Sequence, residues 1–259
     1  MTKKIFFILF FAAITCVNIS WSQPFITRWD LSNLPAWSQD ISFGVTTTGT
    51  VSYTWETVPA GTSGSGTFSG NYVTISGLPA NSIIRLSIDT TNFRAIKVFL
   101  GFIPHRLIDI EQWGAVNWNS MQSAFKECTQ LQVSATDIPN LSGVSSCKEM
   151  FKSCTALNSP SNIGSWNMST MTDLSEMFFM ANAFNQNVSN WDVSAVTNFS
   201  YLFASTPFNQ DINTWNTLSA TNFTCMFQNN TAFNQPLNNW NTQNVNSMAG
   251  MFMNTTSFN

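Results

Sequence analysis

The sequence predicts a mainly β protein, with an N-terminal β-sandwich followed by a right-handed solenoid of leucine-rich-repeat type with short helical or 3-10 returns. Two observations support this prediction. Residues 23–108 contain short segments in which polar and apolar residues alternate, separated by turn residues. Residues 109–259 contain about six copies of one pattern, and a period of about 20–50 residues is typical of stacked repeats.

The first 22 residues have the layout of a secretory signal peptide. Two lysines precede the apolar run 5–17, and small residues lie before a cleavage point at Gln23. The apolar run is shorter than the roughly 20 residues that a membrane-spanning helix needs. We therefore expect an exported protein, secreted or on the cell surface, with no transmembrane segment in this chain.

The N-terminal half contains three segments that alternate as strands do. They cover residues 52–58, 71–78 and 83–88. The glycine- and serine-rich run 61–70 lacks the GxGxxG spacing of a dinucleotide loop, the lysine of a P-loop and a GxSxG nucleophile motif. We interpret this run as a hairpin loop.

The repeat is defined by phenylalanine and tryptophan columns. The phenylalanines are Phe125, Phe151, Phe178, Phe203, Phe227 and Phe252, spaced 26, 27, 25, 24 and 25 residues apart, and the tryptophans are Trp166, Trp191, Trp215 and Trp240. Residues 188–193 place apolar side chains at i, i+3 and i+5, as in a leucine-rich-repeat strand. Residues 196–203 have the spacing of a helical or 3-10 return. We interpret both columns as buried core.

Polar residues between the inward positions of the predicted strand form a candidate binding face. Its members are Asn167, Asp192, Asn216 and Asn241, flanked by Asn190, Thr214 and Asn239. A second polar column, at Asn185, Asn209, Asn234 and Asn259, is interpreted as structural, because amide side chains can both donate to and accept from backbone groups at the corners of a repeat.

Four cysteines lie beyond the predicted signal peptide. Cys128 and Cys154 each follow a column phenylalanine by three residues, in adjacent copies. Stacking at about 4.8 Å would bring them within the Cα separation of about 4.4–6.8 Å that a disulfide needs, so they are a candidate disulfide pair. Cys147 lies on an apolar column and is expected to be a buried thiol.

Composition excludes several classes of function. A net charge of −3 with ten Lys and Arg argues against nucleic-acid binding, which depends on basic side chains. A single histidine, His105, and the absence of a CxxC pair leave no expected metal site and no cofactor. Asp109 and Glu111 are the closest acidic pair, but their spacing fits a solvated strand face better than a glycosidase pair. We therefore expect a protein that is not an enzyme.

The copy that begins Phe184-Asn-Gln-Asn-Val-Ser-Asn-Trp-Asp-Val resembles the repeat of the BspA-like leucine-rich-repeat surface proteins of bacteria, approximately FNQDISNWDVSNVTNM. The resemblance covers about residues 112–259. It implies a bacterial surface protein with a solenoid fold, adhesion to host or matrix, and often an N-terminal sandwich of PKD or immunoglobulin type. It supplies no catalytic residues to carry over.

Two functions remain open at this stage, with a glycan-active enzyme less favoured. The first is binding of an extracellular protein or glycan through the candidate binding face. The second is a structural spacer that displays another domain. The last copy stops at Asn259, in the middle of the pattern, so we expect a truncated chain with any anchoring segment beyond it.

Overall fold

The computed structural model of the chain describes residues 22–32, 39–98 and 104–259. The strands in these residues are β1 (Phe25–Asp30), β2 (Ile41–Thr47), β3 (Val51–Val58), β4 (Ser63–Phe68), β5 (Tyr72–Ile75), β6 (Ile83–Ile88), β7 (Phe93–Lys97), β8 (Leu107–Gln112) and β9 (Gln132–Val133). Within these residues, 3-10 helices cover Pro104–Arg106 and Ile163–Ser165. The predicted signal peptide lies outside the described residues except for Ser22.

The strands form two open sheets. The larger has the order β4-β3-β6-β1-β8-β9 and the smaller the order β5-β2-β7. Neighbouring strands are antiparallel, except that β8 and β9 are parallel. Strand β8 carries the larger sheet across the predicted boundary at residue 108. Within the described residues, the helices are three-residue turns, and none of them reaches the length and apolar character of a membrane span.

Apolar side chains of the two sheets face each other. The ring of Trp29 on β1 stacks on Phe43 of β2 with centroids 5.7 Å apart, and Phe25 stacks on Phe93 of β7 at 5.9 Å. Phe25 also contacts Trp113 and Trp118, which lie at the start of the repeats. The core between the sheets is therefore continuous with the core of the repeats.

The interpretation of residues 61–70 as a hairpin loop was wrong, because residues 63–68 form strand β4. Two glycines in this strand leave room for aromatic rings of the paired strand β3. A Cβ atom at Gly64 would lie 2.7 Å from the Trp55 ring, and one at Gly66 would lie 2.5 Å from the Tyr53 hydroxyl oxygen. Glycine thus permits close packing here, although it is normally depleted in strands.

The predicted fold class of a sandwich and a leucine-rich-repeat solenoid was also wrong. Residues 188–193 contain a turn at 189–190 and no strand, and residues 196–203 contain no helical return. Beyond β9, the described β-structure consists of isolated parallel bridges, such as Asp173 with Asn198 and Asn198 with Asn222. Short Asn, Asp and Ser side chains that bond to the backbone two residues on account for this, since they compete with strand pairing.

Successive repeats are nevertheless joined by regular backbone hydrogen bonds. Counted from the column phenylalanine, the N–H groups at −2, 0 and +2 donate to the next repeat, as Tyr201, Phe203 and Ser205 do to Thr224, Met226 and Gln228. The residues at −2 and +2 have positive φ in every copy, for example 57° at Tyr201 and 55° at Ser205. Along the chain, N–H groups that close turns with a positive φ at the third residue therefore alternate with N–H groups that donate to the next repeat.

Candidate functional site

All seven residues of the candidate binding face are exposed. They lie in turn segments between residues 165 and 241 and are Asn167, Asn190, Asp192, Thr214, Asn216, Asn239 and Asn241. The structure thus places them on one recurring segment of the repeat, on turns and not on the strand that the spacing predicts.

The side chains of this face are held by local hydrogen bonds. The Oδ1 atom of Asn167 accepts from the backbone N–H and the hydroxyl of Ser169, at 3.1 and 2.7 Å. Asn216 and Asn241 accept in the same way from the N–H groups two residues on, at 3.2 and 2.9 Å. These bonds fix the side-chain oxygens of three residues that are themselves exposed.

Asp192 occupies the same position with a carboxylate. Its Oδ1 atom accepts from the N–H and the hydroxyl of Ser194, at 3.0 and 2.6 Å. These hydrogen bonds lower the pKa of Asp192 below its ordinary value. The face therefore carries one fixed negative charge among neutral amides.

The tryptophan column joins neighbouring repeats through its indole nitrogens. Trp191 donates to the carbonyl oxygen of Ile163 at 2.8 Å, and Trp240 donates to that of Ile212 at 2.9 Å. The Trp166 nitrogen is buried without a hydrogen-bond partner. Trp166, Trp191 and Trp215 are buried and Trp240 is half-buried.

The phenylalanine column forms a continuous stack of rings. Phe178, Phe203 and Phe227 are fully buried, with neighbouring centroids 5.9 and 6.0 Å apart. Phe252 stacks on Phe227 at 5.6 Å and is half-buried.

The second asparagine column forms a hydrogen-bonded ladder. The Oδ1 atom of Asn185 accepts from the N–H of Asn209 at 2.9 Å and from Nε2 of Gln210 at 3.0 Å. Asn209 accepts in the same way from Asn234 and Gln235. The amides thus pair backbone groups at the corner of the repeat, which agrees with the structural interpretation of this column.

Cys128 and Cys154 are free, buried thiols in the structure, and the candidate disulfide is not formed. The Sγ atom of Cys154 instead donates to the carbonyl oxygen of Phe125 at 3.0 Å, so it points to the backbone of the neighbouring repeat. Burial raises the pKa of both thiols, and it raises that of Cys147 to about 12. Cys147 is buried, as its column predicts.

A ladder of ion pairs lies on another side of the first repeats and was missed by the sequence reasoning. Lys126 and Lys152 both bind Glu149, and Lys152 also binds Glu176 in the next repeat. Burial raises the pKa of Glu149, but hydrogen bonds from Lys152, Ser123 and Lys126 outweigh it and lower the pKa to about 2. Alignment of the copies would have indicated this ladder, because both lysines directly follow their column phenylalanine.

An apolar patch beside this ladder was missed as well. Phe179 and Tyr201 lie outside the core with centroids 5.6 Å apart, and Met180 is 42% exposed. Lys152 lies over the Phe179 ring at 5.3 Å. Copies elsewhere in the chain have polar or smaller residues at most of these positions, so the patch is a local departure from the repeat.

The acidic pair considered for catalysis is engaged in other contacts. Asp109 accepts from the N–H and hydroxyl of Ser134, while Glu111 pairs with Arg28 and Arg85. Within residues 22–32, 39–98 and 104–259, no group of three or more His, Cys, Asp and Glu side chains is arranged to hold a metal ion.

A family model described as a Mycoplasma protein of unknown function, DUF285, matches residues 105–162 and 145–259. No curated protein matches the chain. No solved structure matches it either. Because the two overlapping matches together span residues 105–259, which is more than half of the chain, the protein belongs to this family.

Proposed function

We propose that the protein is an exported, non-catalytic binding protein of the bacterial cell surface, which contacts an extracellular protein or glycan through the candidate binding face. The family match supports a repeat-bearing surface protein. A closer relationship to the BspA-like proteins, and location outside the cell, belong to this proposal and derive from the repeat motif and the signal-like N-terminus.

The observation that carries the proposal is the row of fixed amides. Asn167, Asn216 and Asn241 are exposed, and their side-chain oxygens are bound to backbone N–H groups. Side chains that are already ordered lose less conformational freedom on binding. A row of ordered donors at the repeat interval is suited to a ligand with several acceptors, such as an extended peptide or a glycan.

The non-catalytic part of the proposal rests on how the carboxylates are used. Glu149 and Glu176 pair with lysines, and Glu111 pairs with arginines. Asp109 and Asp192 accept hydrogen bonds from nearby serines. These groups stabilise turns and sheet contacts, so they are not arranged as an acid and a base around a cleft.

Binding of the purified protein to arrayed matrix proteins and glycans tests the proposal. Asn216→Lys and Asn241→Lys place bulky charges on the face, and we expect each to weaken a specific interaction at least tenfold. Gln122→Lys adds the same charge at an exposed position outside the face and serves as the control. Equal affinity of all three variants would contradict the proposal.

A structural spacer is the second candidate function. The observation that favours it is the continuous stack of buried rings through Phe178, Phe203 and Phe227, which is suited to a stiff rod. A spacer should tolerate lysine at Asn216 and Asn241 without any loss of function, whereas a binding surface should not.

A further inference from the structure

We propose that a cleft between residues 133–136 and 158–162 binds one or two units of a neutral saccharide. The cleft is separate from the candidate binding face and has a volume of about 430 Å³. Its lining consists of the residues of these two segments. Clefts of about 300–1,000 Å³ are the usual size for small-molecule sites.

An insertion in one repeat produces the cleft. Ile163 follows Leu157 by six positions, whereas Val188 follows Phe184 by four positions at the same place in the next copy. In the later copies, the asparagine ladder closes this corner through side chains such as Gln210. The longer corner between Leu157 and Ile163 is held differently. There Ser159 bonds to residues of β9, and only its side chain takes part in these bonds.

The walls of the cleft are ordered by hydrogen bonds. Nδ2 of Asn162 donates to the carbonyl oxygens of Thr136 and Asp137, at 3.1 and 3.4 Å. The hydroxyl of Ser159 accepts from the N–H of Val133 and donates to Gln132. The two sides of the cleft are therefore tied together before any ligand arrives.

Several polar groups of the lining retain hydrogen-bonding capacity. Thr136 and Ser161 are exposed, and Asn158 uses its oxygens for Asn185 and Gln186, which leaves its Nδ2 group available. The Oδ1 atom of Asn162 is buried and accepts no hydrogen bond. An unpaired buried acceptor is rare in proteins, so this wall of the cleft has an unfilled hydrogen-bonding position.

The chemistry of the lining selects the class of ligand. Every polar side chain in it is a hydroxyl or an amide, so the cleft offers no ion pair to a phosphate, a carboxylate or an amine. The nearby carboxylates are engaged: Asp109 accepts from Ser134, and Asp137 accepts from the N–H groups of Trp113 and Gly114.

The apolar part of the lining fits the same class. Val133, Ala135 and Pro160 are the apolar members of the lining, and because each is mostly buried they present only a small apolar surface to the cleft. A pyranose ring combines C–H faces with hydroxyl groups that both donate and accept. Uncharged polar groups around an apolar surface are complementary to that combination.

Calorimetric titration of the whole protein with maltohexaose, chitohexaose and mannohexaose tests the inference, with a heparin hexasaccharide as the charged probe. We expect at least one neutral oligosaccharide to bind. Thr136→Trp and Ser161→Trp should each fill the cleft and lower the affinity at least tenfold. Ser145→Trp adds the same side chain at an exposed position outside the cleft and should leave affinity unchanged.

Three results would overturn the inference: no binding of any neutral probe, binding of heparin only, or equal affinity for the cleft variants and Ser145→Trp. Circular dichroism identifies any variant that fails to fold. If one of the two cleft variants fails, the affinity of the other decides whether the saccharide binds in the cleft. A saccharide interaction that Asn216→Lys weakens but Thr136→Trp and Ser161→Trp preserve would belong to the candidate binding face and would overturn the inference, so failure of the cleft and failure of the binding face are distinguishable.

Discussion

The indole nitrogen of Trp215 donates a hydrogen bond of 3.1 Å to the carbonyl oxygen of Val188 in the preceding repeat. The Trp215 ring also stacks on Trp191, with centroids 6.4 Å apart, so one side chain joins two repeats through a polar and an apolar contact. Because a buried carbonyl that loses its partner is destabilising, this relationship makes a direct prediction about stability.

Trp215→Phe should lower the free energy of unfolding by about 1–3 kcal/mol, because it keeps an aromatic ring but removes the donor to Val188. Urea denaturation followed by circular dichroism measures the change. Trp240→Phe is the matched control, since Trp240 makes the same bond to Ile212 but is half-buried, and its effect should be smaller. A larger loss at Trp240 would contradict the account of this column.

Two adjacent phenylalanines should respond differently to truncation. Phe178 is fully buried in the ring stack, and Phe178→Ala should cost about 3–5 kcal/mol of stability. Phe179 lies outside the core, and Phe179→Ala should cost well under half of that amount. Equal losses in the same denaturation experiment would show that the assignment of the two rings is wrong.

Stability should fall as the pH is lowered through the range from about 5 to 2. The pKa of Glu149 is about 2 in the folded protein and 4.5 ordinarily, so its contribution is complete above the ordinary pKa and is lost as the carboxylate is protonated. Glu149→Gln should remove about 1 kcal/mol at neutral pH, a modest value because solvent screens a partly exposed network. The variant should also show weaker acid dependence than Glu127→Gln, in which an exposed glutamate is replaced.

The buried thiols should react slowly with iodoacetamide at pH 8. Alkylation requires the thiolate, and burial raises the pKa of Cys128, Cys147 and Cys154. Mass spectrometry should find these three residues unmodified in the folded protein and modified in urea without a reducing agent. Failure of Cys128 and Cys154 to react in urea would instead indicate that they form the disulfide that their spacing suggested.

The sequence contains the periodicity of the repeat but not the backbone conformation that satisfies it. Apolar residues at i, i+3 and i+5, as at Val188, Trp191 and Val193, fit a leucine-rich-repeat strand, yet the same spacing is met by turns. The deciding factor is the bond from each Asx oxygen to the N–H two residues on, as at Asp192, which favours a turn over strand pairing.

The ion-pair ladder and the cleft could not be predicted from one copy of the repeat. Glu149 and Lys152 are close in sequence, but Lys126 and Glu176 approach them only through stacking of neighbouring repeats. The cleft depends on the two additional residues between Leu157 and Ile163, whose effect on the corner follows from the three-dimensional arrangement of the ladder.

A binding role of the candidate binding face is tested most directly by the affinity of the purified protein for arrayed matrix proteins and glycans, compared with that of Asn216→Lys, Asn241→Lys and the control Gln122→Lys. We expect a specific interaction that the first two variants weaken at least tenfold and the control leaves unchanged. No interaction with a folded, monomeric sample, or one that all three variants preserve, would contradict a binding role for this face and favour the spacer.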